Sequence, residues 1–116
     1  MSGAEKKNSV QDKRTYARTE VNAAPELTVK RLGETARYPV LRVINFSTSG
    51  MKILSAVNFS KGQDVDFKLI IPDRVIKFIA TIIYSESSDR YFEQGIQFLT
   101  ISEANLEKLY DLFIPE

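Results

Sequence analysis

Two arginines stand four residues apart, Arg14 and Arg18 in the run RTYAR, and a second polar cluster, NFSTSG, carries Asn45, Ser47 and Gly50. A guanidinium is permanently charged and planar; its fork of donors fits a phosphate bidentately and its face stacks on aromatic rings. The chemistry on offer is therefore that of an anion clamp. Each cluster also has a plainer use. Two arginines at this spacing commonly form a solvated face. Asn, Ser and Gly after an apolar strand commonly make a hairpin turn, with Gly50 at a φ that other residues avoid and Ser47 capping a backbone group.

Bond-making chemistry has little to work with. The chain has no histidine and no cysteine, which removes the usual general base, thiolate and imidazole metal ligands, and disulfides. No carboxylate pair stands at a recognisable spacing, so no nucleophile-and-base set can be named. The reading is a non-enzyme with no metal and no resident cofactor. Sixteen basic and 15 acidic residues leave a formal net charge of +1, too little for a protein that holds nucleic acid by phosphate neutralisation alone. A small nucleic-acid-binding barrel remains a weaker reading, one that requires a wide basic stripe with interleaved aromatics.

The elements that must position these groups follow from texture. The 116 residues, 43% hydrophobic and 27% charged, are enough for one globular core. Met1 to Glu20 holds almost no large apolar residue beyond Val10 and Tyr16, so this stretch is expected to be mobile without a partner. From Leu27 onward, short Val-, Ile- and Phe-rich runs alternate with turn residues, the pattern of an antiparallel sheet or barrel. The runs are LTVKRL, YPVLRVINF, MKIL, DVDFKLII, VIKFIATIIY and YFEQGIQFL. In the fourth, Val65, Phe67, Leu69 and Ile71 share a buried face. In the fifth, Ile76, Phe78, Ala80, Ile82 and Tyr84 do so; in the sixth, Phe92, Ile96 and Phe98, with Gly95 marking a bulge or a close backbone approach. Gly33 and Glu34, PDR at Pro72–Arg74 and SESSDR at Ser85–Arg90 are read as the intervening turns and loops.

At the C-terminus the period changes. Leu106, Leu109, Tyr110 and Phe113 have helical spacing, Ser102 is placed to cap the helix, and Glu103 suits the positive end of its dipole. Pro115 follows where the helix should stop. No apolar run is long enough to span a bilayer and no secretion-type apolar stretch opens the chain, so the expected setting is a reducing cytoplasm.

Together these features resemble the PilZ family of cyclic di-GMP receptors. That family's pattern is an R-x-x-x-R segment entering a barrel and, tens of residues later, D/N-x-S-x-x-G; here these are RTYAR and NFSTSG. The final G-x-x-F strand, with Gly95 and Phe98, and the terminal helix are also similar to that family. The resemblance implies an all-β fold with a C-terminal helix, a six-stranded antiparallel β-barrel preceded by a flexible N-terminal arm. Its boundaries are a tail over 1–12, an arginine-bearing segment over 13–24, a barrel over 25–100 and a helix over 101–116, with 13–116 as one domain.

The resemblance also implies the ligand, cyclic di-GMP, and the residues that hold it. Arg14 and Arg18 would take phosphate and guanine groups, since arginine reaches guanine O6 and N7 as well as phosphate. Asn45 would offer amide donor and acceptor and Ser47 an adaptable hydroxyl, while Gly50 would permit the turn and close ligand approach. Asn45 stands where many members carry aspartate. Lys13, beside the first arginine, leans toward a stacked ligand dimer rather than one molecule, and is equally readable as a solvated lysine. Tyr16 either stacks on a base or packs the arm onto the barrel; Lys52 and Arg42 either add positive field or are simply solvated. The functional expectation is a stand-alone bacterial adaptor whose arm orders over the nucleotide and changes contacts with a downstream protein. The alternative is a PilZ-like protein-interaction barrel with weak or lost nucleotide binding.

Overall fold

The computed structural model describes residues 26–114, and the expectations for the N-terminal arm, Lys13, Arg14 and Arg18 included, lie outside them. Among the described residues, six strands and one helix follow one another: β1 (Glu26–Arg31), β2 (Tyr38–Phe46), β3 (Gly50–Ser55), β4 (Asp64–Ile71), β5 (Arg74–Ser88), β6 (Tyr91–Thr100) and α1 (Glu103–Phe113). The sheet closes on itself in the order β1-β2-β3-β6-β5-β4, every pairing antiparallel. Closure removes the open edges that would otherwise invite pairing with another chain.

The period-two faces read from sequence fill the barrel. Val65, Phe67 and Leu69 of β4 and Ile76, Ala80 and Ile82 of β5 are essentially inaccessible, as are Val29, Ile53 and Leu109. Phe67 stacks on Phe78 with ring centroids 5.0 Å apart, and Phe78 meets Phe98 edge-on at 5.3 Å. At this end Phe46 and Phe113 are 5.9 Å apart, so α1 covers the opening with Leu109 and Phe113 inward. Ser102 caps the helix through the Asn105 N–H, 3.1 Å from its hydroxyl. Phe59, in the β3–β4 connection, closes the opposite end, fully buried against Tyr38 and beneath the Arg31 guanidinium at 5.1 Å.

The weakest seam is β1–β2, where only Thr28↔Pro39 and Val29↔Tyr38 pair. Pro39 has no N–H to give the ladder. Arg37 ties the seam, donating to the Thr28 hydroxyl at 3.1 Å and pairing with the Asp66 carboxylate of β4.

Two departures from the sequence reading concern the loops and faces. SESSDR is not a loop: β5 runs on to Ser88, and the turn into β6 is only Asp89–Arg90, with Asp89 left-handed at φ 63°. Polar residues extend the strand here because Ser85–Ser88 pair in register with Gln94–Tyr91 while Glu86, Ser87 and Ser88 stay exposed. Tyr84 is not on the core face. A register shift between Ile82 and Tyr84 leaves Ile83 as an extra residue and turns the Tyr84 ring outward. Similar shifts sit at Leu41 and Ile44 of β2 and at Leu99 of β6. Leu41, Ile83 and Leu99 are 43%, 41% and 57% exposed; a bulge leaves one residue unpaired and resets the alternation beyond it, which accounts for these outward apolar side chains.

Candidate functional site

The NFSTSG segment forms the β2–β3 hairpin at the helix-covered end of the barrel. Ser47 N–H donates to the Gly50 carbonyl at 2.8 Å, closing the turn. The Ser47 hydroxyl accepts from Ser49 N–H at 3.3 Å and also lies 3.3 Å from the Gly50 carbonyl, to which it donates. The capping role foreseen for Ser47 is thus occupied locally, although the residue remains exposed. The Ser49 carbonyl in turn accepts from Phe98 N–H at 2.9 Å, which fastens the hairpin to β6.

Gly50 is required for a reason other than a left-handed turn. Among the described glycines only Gly33 and Gly62 have positive φ. At Gly50 a Cβ would fall 2.0 Å from the Ile96 carbonyl oxygen and 3.1 Å from Gln97 Cα. The missing side chain lets β3 lie against β6.

Outside the barrel the register builds a row across four strands. Asn45 of β2 is opposite Lys52 of β3, Lys52 is opposite Gly95 of β6, and Gly95 is opposite Tyr84 of β5. Asn45 is exposed at the end of its strand. The Tyr84 ring lies directly on Gly95, so close that a Cβ there would sit 2.4 Å from Cε2. Gly95 therefore marks a close approach, by a side chain rather than by backbone, and the bulge lies opposite it on β5. Lys52 Nζ is 3.4 Å from Glu93 Oε2. Partial burial disfavours the Lys52 ammonium, but Tyr84 and Glu93 outweigh it and hold the pKa above the ordinary lysine value.

The structure thus brings Asn45, Ser47 and Gly50 together in one hairpin and sets Lys52 beside Asn45. Arg42 is exposed on β2, opposite Leu54.

The sequence model of the PilZ domain matches residues 12–114 of this chain. The chain belongs to the PilZ domain family. No curated protein sequence matches it. Among solved structures, this PilZ domain is similar to the Bacillus subtilis inhibitor of motility, MotI/DgrA, at 15% identity and a TM-score of 0.57, covering 73% of this chain and 43% of that one. It is likewise similar to Escherichia coli YcgR, solved in complex with c-di-GMP, at 18% identity and a TM-score of 0.56, covering 73% of this chain and 38% of that one. At these identities the likeness is one of fold, and the chain spans less than half the length of either protein.

Two features of this PilZ barrel escape sequence reading. Gln94 is fully buried, its amide nitrogen donating to the Val57 carbonyl at 2.8 Å and to the Ser85 hydroxyl at 3.0 Å. Ser85 continues to Asn58 at 2.8 Å, tying the β3–β4 connection to β5 and β6. The Lys52–Glu93 pair is the second. Only its position opposite Asn45 in a four-strand register gives it meaning, and a register joining β3 to β6 has no short-range signal.

Proposed function

We propose that this PilZ domain is a receptor for cyclic di-GMP, acting by binding rather than by catalysis. Arg14 and Arg18 hold the phosphates and guanine edges of the ligand, and Asn45, Ser47 and Gly50 form the barrel surface that receives it. The observation that carries this reading is the hairpin, in which an exposed Asn45 is held at the end of β2 by a turn pinned to β6. The PilZ match reaches back to residue 12 and so includes both arginines. β1 also supports it, because Glu26 pairs with Ile70 near the β4–β5 turn, at the same end of the barrel as Gly50. A segment leading into β1 is connected at the end where the hairpin stands.

The ligand has two phosphates, and a charge-assisted hydrogen bond contributes roughly 1.5–3 kcal/mol. Ordering a residue costs about 1–2 kcal/mol, so a compact arginine clamp closes with a net gain. The arm then presents a different surface to a downstream protein, the ligand shifting the equilibrium through its preference for the closed form.

Titration calorimetry with cyclic di-GMP tests this. The expected result is a saturable heat that Arg14→Ala and Arg18→Ala each abolish; flat heats with the wild-type chain overturn the reading. A ratio of two ligands per chain is the expectation if Lys13 favours a stacked dimer, and loss of the second ligand in Lys13→Ala checks that role.

A further inference from the structure

The outward row beside the hairpin contains a cation already engaged. Lys52 faces Asn45 across β2–β3, its side chain is 35% exposed, and its partner is the Glu93 carboxylate at 3.4 Å. Glu93 is itself poorly placed for a negative charge, because its direct cross-strand neighbour on β5 is Glu86, and like charges facing each other on a sheet repel. Next to Lys52, Gly95 offers no side chain and the Tyr84 ring lies directly on it. A dianionic ligand docked at Asn45 lies within reach of the Lys52 ammonium, and the same docking brings its charge toward Glu93 and Glu86.

We propose that Lys52 is a phosphodiester-contacting residue of the Asn45 surface and that Glu93 is its built-in competitor, so that an anionic ligand binds by drawing Lys52 away from Glu93. This rests on the receptor reading above. The carboxylate lowers affinity in two ways: it neutralises the cation before the ligand arrives, and it is left facing Glu86 and the ligand's charge afterwards. Lys52 and Glu93 together set the ligand concentration to which the domain responds. Their partial exposure makes the pair exchangeable, since an ion pair in contact with water is held by little free energy.

The test is calorimetric titration of cyclic di-GMP into the full chain as wild type, Lys52→Met, Glu93→Gln, the double variant, and Glu34→Gln. Glu34 is a control for net charge, in an ion pair with Arg31 at the opposite end of the barrel. The expected pattern is a several-fold weaker affinity in Lys52→Met and a several-fold tighter one in Glu93→Gln. The gain from Glu93→Gln should vanish in the double variant, and Glu34→Gln should match wild type. If wild type binds and Glu93→Gln leaves affinity unchanged or weakens it, or if the gain persists without Lys52 or recurs in Glu34→Gln, the competitor role is overturned and the receptor reading stands. No heat from wild type overturns both.

Discussion

The carbonyl oxygen of Ile96 occupies the space that a side chain at Gly50 would need, 2.0 Å from the ideal Cβ position. The obstacle is backbone of a strand paired on both sides, so it cannot step aside without breaking the ladder. Gly50→Ala is therefore expected to destabilise the fold by about 1–3 kcal/mol or more, read as a lower urea midpoint. Loss of ligand binding in that variant would report the collapse of the hairpin rather than a lost ligand contact. Asn45→Ala, on an exposed side chain, leaves the midpoint nearly unchanged and is the cleaner probe of recognition.

Gly95 meets a softer neighbour. A Cβ there would be 2.4 Å from Cε2 of Tyr84 and 2.9 Å from Cδ2, but the ring is the far part of a half-buried side chain and can swing toward solvent. Gly95→Ala should cost less than Gly50→Ala, about 1 kcal/mol. The cost should largely disappear in a Tyr84→Ala background, a coupling that a double-mutant cycle of urea midpoints measures. An undiminished penalty without the ring would mean that Gly95 is needed for its backbone.

On the far side of the barrel, Lys68 of β4 and Lys77 of β5 are directly opposed on the outer face. Opposed like charges are unfavourable, and reversing one makes an attractive pair. Lys77→Glu should raise stability by roughly 0.2–1 kcal/mol, and the gain should shrink in high salt because exposed charges are screened. A gain that ignores salt would point to packing instead.

How far the fold could be read in advance depended on whether its signals were local. The buried face of β4 was legible because Val65, Phe67, Leu69 and Ile71 keep strict alternation, and α1 because its cap and spacing lie within one segment. The bulges at Leu41, Ile44, Ile83 and Leu99 were not, since an extra residue is defined only by the strand opposite. Period-two alternation from Ile76 therefore puts Tyr84 on the core face, and the extra residue Ile83 turns it outward. Phe59 sits between Asn58 and Ser60 in a run that reads as a polar loop, yet it is fully buried as the plug of the opening away from α1; only closure of the barrel creates that opening. Asn45, Ser47 and Gly50 are legible in the sequence as one polar turn after an apolar strand, and the structure places them in one hairpin. What each does locally was less accessible, because the need for glycine at Gly50 comes from Ile96 of β6, a strand distant in the chain.

Lys52 supplies a pH dependence with a definite sign. Tyr84 and Glu93 raise its pKa in the folded barrel above the ordinary lysine value, despite the opposing effect of burial. The folded state thus holds this proton more tightly than the unfolded chain. The stabilisation is fully present below the unfolded lysine pKa and is lost as pH rises through the raised, folded one. With the side chain 35% exposed, solvent screening keeps the contribution small, below about 1 kcal/mol. The urea midpoints of wild type and Lys52→Met should therefore differ by a constant amount from neutral to mildly alkaline pH and converge as pH passes through the lysine range. Because Glu93 is one source of the shift, Glu93→Gln should bring the convergence to lower pH. An unchanged convergence point in that variant would mean that the 3.4 Å contact in the folded chain does not persist in solution.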